Sequence, residues 1–158
     1  MKRLLIVCVA LVLLLSMAVP AFAAESKTWV YDDASLLSPQ DRLSVNEAAE
    51  QAKAQAGCDF YVATYAVPLG YSSYQYRYTG EMFLYDRGLD YNTDLVLLVI
   101  TLDAGQFYYN IYTYGEAMDR ISTKEVNYIL DDDDVFHNIK QGNLAPGCSA
   151  FLSLAAIG

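Results

Sequence analysis

Carboxylate and amide side chains that could bind a cation occur in two predicted loops of this sequence. Asp33 follows a short apolar segment, and Asp90, Asn92 and Asp94 precede a strongly apolar run. Calcium binds six to eight hard oxygen ligands, which carboxylates and Asn carbonyls supply. Because the loops at the strand ends of an α/β sheet converge on one crevice, we predict a Ca2+ site formed by these four residues. The alternative is that each of them is a cap or turn residue.

A second acidic feature is the run Asp131–Asp134. It lacks the Gly and the terminal Glu of an EF-hand loop, so we interpret it as a solvated helix end or loop. His137 follows it and is the only histidine in the sequence. A single histidine excludes a zinc or iron site with several histidine ligands within one chain.

Sequence patterns typical of catalytic sites are missing. No serine lies in a nucleophile elbow, no cysteine begins a Cys-x5-Arg loop, and no Gly-rich phosphate cradle is present, so we predict no nucleotide cofactor. The chain has 10 basic and 19 acidic residues, a formal charge of −9. This balance argues against nucleic acid as a partner and against a phosphatase, since both need positive groups for phosphate oxygens. It favours cations or basic partners.

The first 23 residues have the pattern of a secretory signal peptide. Lys2 and Arg3 begin it, an apolar run spans Leu4–Met17, and Ala21-Phe22-Ala23 supplies small residues for cleavage. The apolar run is shorter than the roughly 18 to 20 residues of a spanning helix, although a retained anchor is the alternative. We therefore predict that residues 1–23 are removed and that residues 24–158 form one exported domain, extracellular or in the cell envelope. That domain has eight basic and 19 acidic residues, a formal charge of −11.

Cys58 and Cys148 are the two cysteines of the exported part. An even pair in an exported chain is a disulfide candidate. Two buried free thiols are the alternative. Both remain open here, because spacing in sequence does not determine the distance between the two sulfur atoms.

Hydrophobic patterning predicts a β-α-β-α-β-β-α-α order of elements. The predicted strands begin at Trp29, at Asp59, at Leu95 and at Phe107. The predicted helices run from about Pro39 to Ala56, from Ser72 or Ser73 to Gly88, and over roughly 120–130 and 144–156. Helices that alternate with buried strands predict an α/β fold, a three-layer α/β/α sandwich with a small mixed β-sheet.

Ten tyrosines lie between residues 71 and 114. Tyrosine is favoured at protein interfaces because it combines apolar area with a polar tip. On the last predicted strand, Tyr108, Tyr112 and Tyr114 share one face. If that face is exposed, it is a candidate surface for contact with a partner.

Three segments, in this order, resemble the TPM domain family. Val30–Ser38 resembles its opening signature, Asn92–Gly115 its apolar strand, tight turn and second strand, and Lys124–Leu152 its final helix, acidic stretch and helix. The resemblance covers about residues 29–155. It implies an α/β/α sandwich in an exported or lumenal protein.

The resemblance also implies functions. Divalent cations bind an acidic loop cluster in some members, and Asp33 is the residue that the opening signature assigns to it. Plant members are linked to an acid phosphatase activity. Many bacterial members carry a transmembrane helix after the domain, so this chain, which ends at Gly158, is either secreted free or a fragment of a membrane-tethered protein. It departs from the family at Asp94, where a Gly is usual, and at Asn143, where an Asp is common.

We conclude from the sequence that this is an exported, non-catalytic module that binds a divalent cation and interacts with envelope or membrane proteins. The alternative is a divalent-cation-dependent acid phosphatase, which depends on family analogy. A structural domain with neither property is a third hypothesis.

Overall fold

A four-stranded sheet with helices on both faces forms the part of the chain that the computed structural model describes, residues 27–66 and 79–157. The strands are β1 (Val30–Asp32), β2 (Asp59–Ala66), β3 (Leu95–Asp103) and β4 (Gln106–Tyr114). The helices are α1 (Pro39–Ala56), α2 (Thr79–Arg87), α3 (Ala117–Arg120), α4 (Thr123–Leu130), α5 (Asp133–Lys140) and α6 (Leu144–Ala155). Within these two ranges, no helix is both long and apolar enough to cross a membrane. The predicted signal peptide and the predicted helix start at Ser72 or Ser73 lie outside the described residues.

The central strand β3 is paired on both sides. The strand order is β1-β2-β3-β4, with β1, β2 and β3 parallel and β4 antiparallel to β3. Residues 95–101 of β3 are all buried. The strand predicted from Leu95 is therefore a buried central strand, and the strand predicted from Phe107 is its antiparallel partner. The two strands are joined by a tight turn in which Ala104 and Gly105 have φ angles of 47° and 80°, as a two-residue hairpin loop requires.

Helices cover the sheet in two layers. On one face, α1 packs on β2 and on α6. On the other face, α2 lies across the strands. Its first residue, Thr79, has its Oγ1 2.9 Å from Tyr112 Oη on β4, and the guanidinium carbon of its last residue, Arg87, lies 3.9 Å from the ring centroid of Tyr31 on β1. The predicted α/β/α sandwich with a mixed sheet is confirmed.

The sequence around α1 determines both of its ends. Ser38 accepts a hydrogen bond from the Asp41 N–H, and the Asp41 side chain accepts one from the Ser38 N–H, which forms a capping box ahead of Pro39. At the other end, Gly57 adopts a left-handed conformation and its N–H donates to Lys53 O. Both ends agree with the prediction.

The helix α5 was not predicted. Its N-cap is Asp132, whose Oδ1 accepts hydrogen bonds from the N–H groups of Asp134 and Val135. Val135 and Ile139, four residues apart, bury its apolar side. The run Asp131–Asp134 is therefore the end of α4 and the start of α5, in agreement with its interpretation as a helix end.

The two cysteines are buried free thiols. Cys58 precedes β2 at the amino end of that strand, whereas Cys148 lies in α6 near the charge of Asp32, at the carboxyl end of β1. Burial raises the pKa of the Cys148 thiol to about 12. The disulfide alternative is wrong for this structure, because the fold places the two thiols at opposite ends of the strands.

Gly115 provides a test of this packing. A Cβ atom on Gly115 would lie 2.8 Å from the Asp94 Cα and 2.9 Å from the Asn92 O, whereas a Cβ on Gly88 would meet nothing within 4 Å. The two glycines have φ angles of 62° and 63°. We expect Gly88→Ala to lower the free energy of unfolding by about 1 to 2 kcal/mol through the backbone conformation alone. Gly115→Ala should cost about 1 to 3 kcal/mol more because of the backbone overlap.

Urea denaturation of both variants measures the difference. Equal losses for Gly115→Ala and Gly88→Ala would contradict the close approach of the β4 end to the loop that precedes β3.

Candidate functional site

Asp32 is a half-buried carboxylate at the end of β1 that the sequence reasoning missed. Its Oδ1 accepts hydrogen bonds from the Leu36 N–H at 2.8 Å and from Thr64 Oγ1 at 2.5 Å. Its Oδ2 accepts one from the Leu37 N–H at 3.0 Å. Asp32 thus fixes the loop between β1 and α1. A polar Thr64 in the buried stretch 60–64 of β2 was the signal for this pair.

Asp33, the first predicted calcium ligand, forms an ion pair. Its Oδ2 lies 3.0 Å from Arg87 Nη2, and the Arg87 guanidinium stacks on Tyr31. Beside this pair, Arg87 Nε and Tyr65 Oη are buried without a hydrogen-bond partner in the described part of the chain. Burial, together with the charge of Asp33, raises the pKa of Tyr65 to about 12, although Arg87 acts in the opposite direction. The tyrosine is therefore a neutral phenol at physiological pH.

The other predicted ligands lie in the loop before β3. Asp90 accepts a hydrogen bond from the Asn92 N–H at 2.7 Å, which is the geometry of a turn residue. Asp94 Oδ2 accepts a hydrogen bond from Arg120 Nη2 at 2.7 Å, while Asp94 Oδ1 is buried and has no hydrogen-bond partner among the described residues. Arg120 Nη1 also donates to Ala56 O at 3.0 Å, so the pair ties this loop to the end of α1.

The strand register separates the two acidic loops. Asp32, next to Asp33, is level with Thr64 on β2, whereas Leu95, next to Asp94, is level with Asp59. Five residues of strand correspond to about 17 Å. The expectation that the two loops converge is wrong, because Asp33 follows its strand and Asp94 precedes a parallel one.

In the described residues, no group of three or more His, Cys, Asp or Glu side chains is placed to bind a metal ion. Asp90 is a turn residue, as the alternative interpretation predicts, whereas the carboxylates of Asp33 and Asp94 form ion pairs with arginines. His137 is exposed, and its Nδ1 contacts the main-chain oxygen of Asp133 one turn earlier. Calcium binding stays a prediction, confined to Asp90, Asn92 and Asp94.

A further charged cluster surrounds Asp59 at the amino end of β2. Its carboxylate accepts hydrogen bonds from Lys27 Nζ at 2.5 Å and from Lys53 Nζ at 2.7 Å. Both ammonium groups lie over the Trp29 ring, at 4.3 and 4.6 Å from its centroid. Burial alone would raise the pKa of Asp59, but the two lysines outweigh it and hold that pKa below its usual value. The cluster joins Lys27 and Trp29, ahead of β1, to the start of β2.

The predicted tyrosine face of β4 is only partly exposed. Tyr114 is buried and packs edge-on against Tyr91, and Tyr112 contacts Thr79, whereas Tyr108 is 39% exposed. The tyrosines at residues 71–78 lie outside the described ranges. This face is therefore largely an internal contact with α2 and the loop that follows it.

A groove with an apolar lining lies between α4 and the end of α6. Its volume is about 300 Å³. Its lining consists of Ile121, Glu125, Tyr128, Ile129, Leu154, Ala155 and Ile157. Two of these side chains remain largely in solvent, Tyr128 at 68% and Ile157 at 71% exposure. Among the sites described, this groove has the composition of a contact surface for another molecule.

Comparisons with known proteins give a family and a fold. The family model of the TPM domain matches residues 30–156. The solution NMR structure of the N-terminal domain of a P. gingivalis protein matches with a TM-score of 0.63 and 20% identity, over 85% of this chain and 83% of that one. The solution NMR structure of the N-terminal domain of the cg2496 protein from Corynebacterium glutamicum matches with a TM-score of 0.59 and 16% identity. The match covers 89% of this chain and 83% of that one.

The BA42 protein from the psychrophilic bacterium Bizionia argentinensis matches with a TM-score of 0.56 and 15% identity, over 77% of this chain and 79% of that one. None of the curated proteins matches the chain at a significant level. At these identities the solved structures show the fold alone.

The neighbours Asp32 and Asp33 provide a matched test of the two carboxylate roles. We expect Asp32→Ala to lower the free energy of unfolding by about 2 to 4 kcal/mol, because two main-chain N–H groups and Thr64 lose their acceptor. Asp33→Ala should cost no more than about 1 kcal/mol, because its ion pair with Arg87 is half exposed. Urea denaturation at neutral pH measures both. A larger loss for Asp33→Ala would contradict the assignment of the structural role to Asp32.

Proposed function

The chain belongs to the TPM domain family, and we propose that it is an exported, non-catalytic module that binds an envelope or membrane protein. The observation that carries the proposal is the groove between α4 and α6. Its contact with a partner would remove apolar surface from water, which is the main favourable term in protein association.

The shape and charge of the groove suit an apolar side chain that lies near a basic group. Tyr128 and Ile157 border an apolar floor of a size that admits one or two side chains. Glu125 lines the groove, and its Oε2 accepts a hydrogen bond from the Ser122 N–H at 2.6 Å. Hydrogen bonds from Ser122 lower the pKa of Glu125, so the carboxylate is charged where the partner would bind.

The acid phosphatase alternative has less support. Phosphoryl transfer needs cationic groups that are available to the phosphate oxygens. Among the described residues, Arg87 is paired with Asp33, and Arg120 with Asp94 and Glu116. Family analogy remains the argument for this activity, and analogy at the level of the fold is a weak one.

Site-specific photo-crosslinking tests the groove. A benzoylphenylalanine residue replaces Tyr128 in one variant and Tyr85, which is 86% exposed on α2, in a control variant. In intact producing cells we expect the probe at residue 128 to give a discrete envelope-protein adduct, and the added substitution Ile157→Lys to remove it. Equal adducts from both positions, or none from residue 128, would contradict the proposed surface. Turnover of p-nitrophenyl phosphate that Arg87→Ala abolishes would favour the phosphatase instead.

Calcium binding is the second part of the proposal, and the unpartnered Asp94 Oδ1 supports it. We expect millimolar calcium added after a chelator to raise the melting temperature of the chain, since a ligand at about 100 times its Kd adds about 2.7 kcal/mol. Asp90→Ala should remove the rise. Asp33→Ala, at the opposite end of the strands, should retain it. An unchanged melting temperature in the unsubstituted chain would overturn the calcium site.

A further inference from the structure

The strand β4 forms one outer edge of the sheet, and its main chain has two different sides. The two-residue loop makes Asp103 and Gln106 a directly opposed pair. In such a hairpin the pair that flanks the loop is hydrogen-bonded, and hydrogen-bonded pairs then alternate with non-hydrogen-bonded pairs along the strands. Residues of β4 at even positions therefore bond to β3. The residues at odd positions direct their N–H and C=O groups away from the sheet: Phe107, Tyr109, Ile111 and Thr113.

Two contacts of β4 agree with this assignment. The Phe107 O accepts a hydrogen bond from Lys140 Nζ at 2.7 Å, and the Ile111 N–H donates to Asn110 Oδ1 at 3.0 Å. Neither partner belongs to β3, so both main-chain groups point outward. In the described part of the chain, the outward groups of Tyr109 and Thr113 and the Ile111 O make no hydrogen bond to another segment.

Within residues 27–66 and 79–157, this edge lacks the usual protection against strand pairing. Edge strands are commonly short, charged, interrupted by Pro or covered. β4 has nine residues and contains neither a charged residue nor a Pro. Lys140 contacts only the start of β4, where its Nζ donates to Phe107 O and lies 4.7 Å from the Tyr108 ring centroid. The opposite edge, β1, has three residues, and Thr28 Oγ1 donates to its Val30 O.

We propose that the β4 edge, residues 109–113, binds an extended peptide segment of a partner protein as a fifth strand of the sheet. The free donors and acceptors of an edge strand are satisfied by another extended main chain, and this is how peptides add to exposed sheet edges. This surface is distinct from the groove, so the two can be tested separately.

The charge around the edge favours a basic segment over a second copy of this chain. Tyr109 Oη donates to Leu130 O at 2.6 Å, which places the run Asp131–Asp134 beside the edge. A second copy would bring the same acidic run and a formal charge of −9 to the interface. A segment that carries lysine or arginine would instead gain from these carboxylates.

Amide hydrogen exchange, read residue by residue by NMR on the purified chain, tests the proposal. The probe is a nine-residue peptide of alternating valine and lysine, added at about ten times its Kd. We expect the amides of Tyr109 and Thr113 to exchange faster than those of Tyr108 and Tyr112 in the free chain, and to slow by about tenfold with the peptide. The same peptide with N-methyl groups on alternate residues of its pairing side has the same charge and should give no protection.

Two variants locate the contact. Thr113→Pro removes an outward N–H that the β3 ladder does not use, so it should abolish peptide binding. Asn110→Ala removes the side-chain oxygen that accepts a hydrogen bond from the Ile111 N–H, so this N–H becomes available to the peptide. One added hydrogen bond should tighten peptide binding about fivefold. The control Tyr85→Ala, on α2, should leave the affinity unchanged. Asn110→Ala keeps the test decisive if Thr113→Pro fails to fold.

Three results would overturn the proposal. The first is unchanged exchange at Tyr109 and Thr113 at millimolar peptide. The second is equal binding of the N-methylated peptide, which would mean a charge effect alone. The third is a doubled mass in light scattering, with these amides already protected in the free chain, which would show that a second copy covers the edge.

Discussion

Burial of seven consecutive residues of β3 is the constraint on which the rest of this structure depends. Its residues 95–101 are covered on both faces, and it is the strand that joins β2 on one side to β4 on the other. Burying one Leu or Val side chain contributes about 1.5 to 3 kcal/mol, so several in succession tie the strand order to the hydrophobic core. The parallel register with β2 then decides which loops share an end of the sheet. The antiparallel register with β4 decides which main-chain groups remain at the edge.

Four basic side chains of the described residues are neutralised locally by carboxylates. Arg87 lies against Asp33, Arg120 against Asp94, and Lys27 and Lys53 against Asp59. Three of the four pairs join segments that are distant in sequence, and only Lys53 lies near its partner Asp59 along the chain. These contacts position loops and strand ends. The excess of acidic over basic residues gives the surface a negative field, which acts on the choice of partner.

The sequence predicted the fold better than the site, for physical reasons. The apolar run of β3 and the bounds of α1, Pro39 and Ala56, follow from local sequence signals, and both were predicted correctly. The position of Asp33 relative to Asp94 depends on strand direction and register, which local patterns do not contain. Asp32 was missed because its role requires Thr64, 32 residues away. The helix α5 was missed because four consecutive acids obscured the capping role of Asp132.

The central claim is that the partner-binding surface lies at the groove of α4 and α6 and that the acidic loops do not form it. The most direct measurement is an amide NMR spectrum of the isotopically labelled chain, titrated with detergent-solubilised envelope proteins from producing cells. The account predicts that signal loss begins at Tyr128 and Ile157 and spares Asp33 and Arg87. Signal loss centred on Asp33, Tyr65 and Arg87, or none in either region, would contradict it.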